Sequence, residues 1–317
     1  MFHAPLLRCA TEFELVAMVG AQDALAAATS DEADLIVIST PNQSHFPLAA
    51  AALHAGKHVV VDKPFTVSVA EGEALIDLAS RQQRMLTVFH NRRWDGDFLT
   101  VRKLLADKTL GEVLLFEAHW DRFRPAIKQG WRELPADGAG VLNDLGPHMI
   151  DQALLLFGWP GAVSADIQAQ RREALVDDYF DVTFQYGSLR ARLCASTMIA
   201  EPRPRFAVHG SGGSFVKFGL DTQEPALRDG DPAAPDFGLD PINGTLTFGD
   251  GRHGAVPTER GRYRAFYEGV AAAISNKGPA PVDPSDAVAG LRLIECARKS
   301  AREGVCVPTP DASSPAV

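Results

Sequence analysis

The stretch His58-Val59-Val60-Val61-Asp62-Lys63-Pro64 decides the fold of this chain. A run of three valines ends abruptly in an anion, a cation and a proline. A short apolar run without polar alternation is the pattern of a strand buried on both faces. Pro64 disfavours the helical region for Lys63, so the lysine continues past the strand end. Residues 33–39, which contain Leu35-Ile36-Val37-Ile38, and residues 85–90 read as strands of the same kind. Helical segments at 46–55, closed by Gly56, and at 68–84 separate them. Residues 12–19 add an expected strand and the Ala-rich 21–29 an expected helix. Strands alternating with helices at this spacing predict parallel βαβ units, hence an α/β domain with a doubly wound sheet.

In open α/β sheets, ligands collect outside the carboxyl ends of the strands. Three strand ends here carry polar groups beside a proline or an aromatic. They are Ser39-Thr40-Pro41-Asn42 with His45 just beyond, Asp62-Lys63-Pro64, and His90-Asn91-Arg92-Arg93-Trp94. Each alone reads as a loop; together they describe the rim of a ligand crevice.

After about residue 110 the rhythm changes. Strand-like segments at 112–120, 162–168, 179–186, 188–198, 205–210 and 214–217 follow one another, broken by helices at 140–157 and 263–275. Consecutive strands joined by turns such as Tyr186-Gly187-Ser188 predict an α+β domain with a large, mostly antiparallel sheet. Residues 221–260, rich in Gly, Pro and Asp, read as a long surface loop with a short hairpin, and 285–303 as a closing helix. The expected division is 1–95, 96–307 and a tail at 308–317, in keeping with two domains in 317 residues.

Composition narrows the function. Lys plus Arg is 31 against Asp plus Glu 40, a formal charge of −9, which argues against nucleic acid or an anionic membrane surface as partner. Cys9, Cys194, Cys296 and Cys306 lie far apart without C-x-x-C spacing, so reduced thiols are expected in place of a zinc site or a disulfide framework. No apolar run approaches the roughly 18 residues of a membrane span, and no signal-peptide pattern opens the chain. The cytoplasm is the expected compartment.

A second constellation is Gly140-Val-Leu-Asn-Asp144-Leu-Gly-Pro-His148-Met-Ile-Asp151. Asp144, His148 and Asp151 fall at i, i+4 and i+7, so a helix places all three on one face. The Asp144–His148 pair suits acid–base work. The same spacing could offer metal ligands, or simply a solvated polar face. Gly210-Ser-Gly-Gly213 has the look of a phosphate loop, but strands flank it and a hairpin turn is expected. His54, His119, His209 and His253 read as structural.

Taken in order, these motifs resemble the Gfo/Idh/MocA family of NAD(P)-dependent oxidoreductases, from Phe2 to about Val307. The family's E-K-P signature stands as Asp62-Lys63-Pro64, and its glycine-rich loop and catalytic helix as Asp137-Gly-Ala-Gly140 and Asp144-Leu-Gly-Pro-His148. Phe2-His-Ala-Pro-Leu6, His90-Asn-Arg-Arg-Trp-Asp95 and Asp121-Arg-Phe-Arg-Pro125 are similar to the branch that includes NADP-dependent scyllo-inositol 2-dehydrogenases. The resemblance implies a Rossmann-like first domain and a catalytic set of Lys63, Asp144 and His148. It implies cofactor contacts from Thr40, Pro41, Asn42, His45, Asp62, Lys63, Asn91 and Arg92, and a substrate rim of Arg122, Arg124 and Arg132 with Asp144 and His148. It implies NAD or NADP as cofactor (NADP first, by the branch), a polyol or sugar substrate, no metal, and a homodimer or homotetramer. His148 would take the hydroxyl proton, Lys63 would hold the substrate oxygen, and Asp144 would orient His148 or bind a neighbouring hydroxyl.

Two departures stand out. The family's first strand and G-x-G-x-x-G-like turn precede the segment matching Phe2-His-Ala-Pro and have no counterpart here, and a helix and strand that normally follow are missing after Val19. We expect the encoding DNA to carry the glycine motif in frame upstream of Met1, because Leu35–Ile38 is patterned for full burial. The alternative is a non-catalytic sensor of a sugar or dinucleotide on the same fold.

Overall fold

The computed structural model describes residues 2–127, 130, 133–136 and 138–310. The chain opens with helices α1 (His3–Arg8) and α2 (Ala24–Ala28), then alternates β1 (Leu35–Ile38), α3 (His45–His54), β2 (His58–Val61), α4 (Val69–Gln82) and β3 (Leu86–Val88). Helix α5 (Gly96–Ala106) leads to β4 (Val113–Asp121), α6 (Val141–Phe157) and the strands β5 (Ala162–Gln168), β6 (Tyr179–Tyr186), β7 (Leu189–Ser196), β8 (Phe206–Gly210) and β9 (Gly213–Lys217). Then come α7 (Gln223–Asp229), β10 (Gly244–Phe248), β11 (His253–Val256), α8 (Arg264–Ile274), α9 (Pro284–Glu303) and β12 (Val307–Pro308).

The first sheet is parallel, in the order β1-β2-β3. Helix α4 shows how sequence sets these elements. The Ser68 side chain accepts from the Glu71 N–H, Glu71 reaches back to the Val67 N–H, and Gln83 ends the helix in the left-handed region at φ 51°. Val59, Val60 and Val61 are fully buried beneath the helices, as their pattern requires.

The second sheet has nine strands in the order β11-β10-β9-β8-β4-β7-β6-β5-β12, antiparallel throughout except for the parallel β4–β7 pair. Phe180, Val182 and Phe184 alternate inward and form a core with Leu142, Leu145 and Met149 of α6 and Leu293, Ile294 and Ala297 of α9. A separate core surrounds the first sheet. It recruits Tyr263, Phe266, Tyr267 and Val270 around α8, with Val288 and Leu291 of α9, so late parts of the chain close the underside of the first domain.

Three expectations are revised. Residues 12–19 form no strand: among the described residues β1 pairs only with β2, its outer edge is left open, and Val16, Met18 and Val19 are exposed. For the same reason Leu35, Ile36 and Val37 are only half-buried, and Ile38 alone is buried. Residues 221–260 contain helix α7 besides the expected hairpin β10–β11. The Gly210–Gly213 stretch is the β8–β9 turn.

Candidate active site

Strands β1, β2 and β3 end side by side, so the residues that follow them share one rim. Beyond β2, the Asp62 Oδ1 accepts from the Lys63 N–H at 2.9 Å, and His3 Nε2 lies 3.8 Å from the other carboxylate oxygen. Burial would push Asp62 up, but His3 and Lys63 outweigh it and hold the carboxyl below its ordinary range. Lys63 crosses to α6. Its Nζ donates to the Asp144 carbonyl at 2.5 Å and to Asp144 Oδ1 at 3.1 Å. Pro147 removes the donor that the Asn143 carbonyl would receive, and the Asp144 carbonyl accepts from Lys63 beside this break in the helix ladder. Arg122 Nη1 stands 3.5 Å from Asp144 Oδ2, so the carboxylate lies between two cations.

One turn along, His148 is 6% exposed. Its ring stacks on Trp120 (centroids 6.0 Å, interplanar angle 26°) and meets His90 edge-on at 6.3 Å. Its Nδ1 has no hydrogen-bond partner among the described residues. Burial first, then the charges of Lys63, Arg92, His90 and Arg205, push its pKa well below the ordinary value. His90 is lowered too, chiefly by burial.

The helical spacing put Asp144, His148 and Asp151 on one face, but each takes different partners. Among the described residues no hydrogen bond joins Asp144 to His148, because Lys63 and Arg122 draw the carboxylate away; the expected Asp144–His148 pairing is corrected. Asp151 is clamped by Arg93, whose Nε and Nη2 reach its two oxygens at 2.8 and 2.5 Å. The triplet therefore does not converge, and no group of three His, Cys, Asp or Glu among the described residues is placed to hold a metal ion.

The cofactor rim is also redrawn. Asn42 donates from Nδ2 to the Gly138 carbonyl at 2.9 Å. Gly138 has φ +81°, and a Cβ there would lie 2.7 Å from Asn42 Nδ2, so only glycine lets this loop press so closely on the end of β1. His45 is 1% exposed with both ring nitrogens 2.9 Å from carbonyls, those of Thr40 and Pro64. It fastens two rim loops together and has no nitrogen left for a ligand. The Thr40 hydroxyl accepts from Ser44, Pro41 is exposed, and Asn91 is buried at the end of β3. Arg92 is occupied by Tyr263, Glu224 and Asp95, so it is a buried structural cation and not an open contact. Arg122 stands beside Asp144 just past the end of β4. Arg124 is exposed, its backbone N–H donating to the Thr197 carbonyl and its carbonyl accepting from Arg171, and Arg132 and Asp137 lie outside the described residues.

Sequence reasoning missed Trp120, Arg205 and Glu224. Trp120 was within reach, since i, i+2 alternation on β4 puts it on the face of Arg122. Arg205 and Glu224 carry no local signal.

The family model described as oxidoreductase family, NAD-binding Rossmann fold, matches residues 4–90, and the one for the oxidoreductase family C-terminal alpha/beta domain matches residues 102–309. The "uncharacterized oxidoreductase YdgJ" of Escherichia coli is 46% identical over 85% of this chain and 79% of its own. The scyllo-inositol 2-dehydrogenase (NADP(+)) IolW of Bacillus subtilis is 36% identical over 96% of this chain and 90% of its own. Among solved structures, yvaA of Bacillus subtilis superposes with a TM-score of 0.93 at 34% identity, covering 98% of this chain and 94% of that one. By these two family models, which together span residues 4–309 almost without a gap, the chain belongs to the Gfo/Idh/MocA oxidoreductase family.

Proposed function

We propose that this protein is an NAD(P)-dependent dehydrogenase that moves a hydride between a hydroxyl-bearing carbon of a cyclic polyol or sugar and the nicotinamide ring. The observation that carries the reading is a buried imidazole, packed between Trp120 and His90, with a lysine fixed by a carboxylate one turn away on the same helix, both at the ligand end of one parallel sheet. The rim fits the nicotinamide end of the dinucleotide: the Gly138 loop, which any Cβ would lift, presses on Asn42 beside Lys63 and Asn91. Asn42, Lys63 and Asn91 would hold that end. NAD(P), when bound, supplies the hydride acceptor.

The chain's own residues do the rest. His148, unprotonated at neutral pH, accepts the substrate hydroxyl proton. Lys63 donates an N–H to the same oxygen and stabilises the charge that develops on it. Asp144 keeps the ammonium in place and offers its carboxylate to a neighbouring hydroxyl, while Arg122 closes the wall. The name of the IolW relative makes scyllo-inositol the first substrate to try and NADP the first cofactor. This reading puts the protein in the cytoplasm. It also makes it a homodimer or homotetramer, joined through the sheet face of Tyr179, Asp181, Thr183 and Gln185, opposite the residues packed on α6 and α9.

The test is a nicotinamide-absorbance screen of cyclitols and sugars with NAD and NADP, repeated on Lys63→Met and His148→Ala. Turnover by the wild type and a loss of about 10²-fold or more in each folded variant is expected. Undiminished turnover in both variants refutes the site. Cofactor binding by calorimetry without turnover on any substrate points instead to a sensor.

A further inference from the structure

Behind the candidate catalytic histidine two buried arginines pack against the ring that His148 stacks on. The guanidinium of Arg205 and that of Arg92 each lie 4.9 Å from the centre of the Trp120 ring on which His148 stacks. The Arg205 side chain is 1% exposed, and its Nε and Nη1 have no hydrogen-bond partner among the described residues. Its nearest carboxylate, Asp97, stands 3.7 Å away and is itself fully buried. Gln152, one turn past His148 on α6, accepts from Arg205 Nη2 at 2.9 Å and donates to the Arg92 carbonyl at 3.0 Å. A buried arginine whose Nε meets its carboxylate only at 3.7 Å costs stability, and an apolar residue of similar volume would serve packing better.

We propose that Arg205 is a positioning residue for the reaction: through Trp120 and Gln152 it fixes the His148 ring, and as a buried cation it keeps that ring unprotonated and ready to act as base. The charges around His148 support this from every side. Lys63 faces it from the end of β2, His90 and Arg92 from beyond β3, Arg122 from the end of β4, and Arg205 from the start of β8. The carboxylates nearby are all engaged: Asp144 by Lys63 and Arg122, Asp151 by Arg93, Glu224 and Asp95 by Arg92, and Asp97 by Arg205. Of these groups Lys63, Arg92 and Arg205 are the cations that oppose proton uptake by the His148 ring. The depressed pKa of His148, set by burial and then by Lys63, Arg92, His90 and Arg205, agrees.

The inference rests on the dehydrogenase reading only for its link to activity, so it is tested first without substrate or cofactor. The His148 ring is titrated by NMR, assigned by its loss in His148→Gln. In the wild type it should titrate below the ordinary 6.5. Arg205→Met should raise it by about one pH unit, the order expected of a unit charge across roughly 10 Å of protein. Arg205→Lys, which keeps the charge, should move it by a few tenths at most. If Arg205→Met fails to fold because Asp97 is stranded, Asp97→Asn with Arg205→Met removes both charges, and an upward shift is again expected. A wild-type titration at or above 6.5, or one unchanged in the charge-removing variants, overturns the proposal. The acid limb of kcat/KM should then move in step with the ring. A ring that shifts while the limb stays fixed keeps the Arg205–His148 coupling but removes His148 from the base role.

Discussion

Replacing Asp151 by alanine should be among the most damaging single changes on α6, although Asp151 touches no substrate in this account. Arg93 grips both its oxygens, and the two side chains are 10% and 4% exposed. Removing one partner of a buried pair strands the other charge and typically costs 3–5 kcal/mol. Here Asp286, 2.8 Å from Arg93 Nη2 and 43% exposed, remains as a wetter substitute, so the lower end, about 3 kcal/mol, is expected. For a chain of 317 residues that lowers Tm by about 4–5 °C. Asp286→Ala, which removes only the exposed partner, should cost about 1 kcal/mol or less. The double variant Arg93→Met with Asp151→Leu, which removes both charges at nearly constant volume, should return to within about 1 kcal/mol of the wild type. Urea and thermal unfolding of the four proteins make the comparison. An Asp151→Ala variant as stable as the wild type, or a double variant no better than the single, would refute the buried-clamp reasoning.

Other outcomes follow from the same geometry. His148 and His90 both have folded-state pKa values below the ordinary 6.5. The unfolded chain therefore binds protons first, and stability is full above about pH 6.5 and falls as pH drops below it toward the folded-state values. Urea midpoints from about pH 8 to about pH 5 should show this slope, with His148→Gln reducing it. Gly140→Ala places a Cβ 2.3 Å from Asp177 Oδ1 at φ +89°, while Asp177 Oδ2 accepts the Leu142 N–H at 2.7 Å. A loss of about 1–3 kcal/mol is expected, measured by denaturant titration together with a raised KM. In Lys63→Met, Arg122 still holds Asp144, so kcat should fall roughly 10²–10³-fold while the thermal midpoint changes little.

Where the chain repeats a period, its structure could be read from the residues. Strands Ala162–Gln168 and Tyr179–Tyr186 begin and end where alternation does, because each has a solvated face and a buried one. The valines of β2 signalled a strand covered on both sides, and Asp62-Lys63-Pro64 a rim, because local sterics alone carry lysine past the strand end. Residues 12–19 misled because whether a segment docks on a sheet edge is decided by tertiary packing, which no local pattern can report. Phe98, Val101 and Leu104 repeat at helical spacing and mark α5, a helix that sequence reading passed over. At the site, helical spacing correctly aligned Asp144, His148 and Asp151, yet which cation each meets depends on Lys63, Arg122 and Arg93 arriving from other elements. Arg205 is more remote still, since its neighbours Asp97, Trp120 and Gln152 come from three separate segments.

The central claim is that Lys63 and His148 promote hydride departure from a carbinol carbon. It is tested most directly by following the label from a cyclitol or sugar deuterated at its hydroxyl-bearing carbons, with scyllo-inositol first. The account predicts deuterium in the reduced nicotinamide and a slowed turnover with the labelled substrate, both lost in His148→Ala. Reduced nicotinamide without label, or label transfer undiminished in His148→Ala, would contradict it.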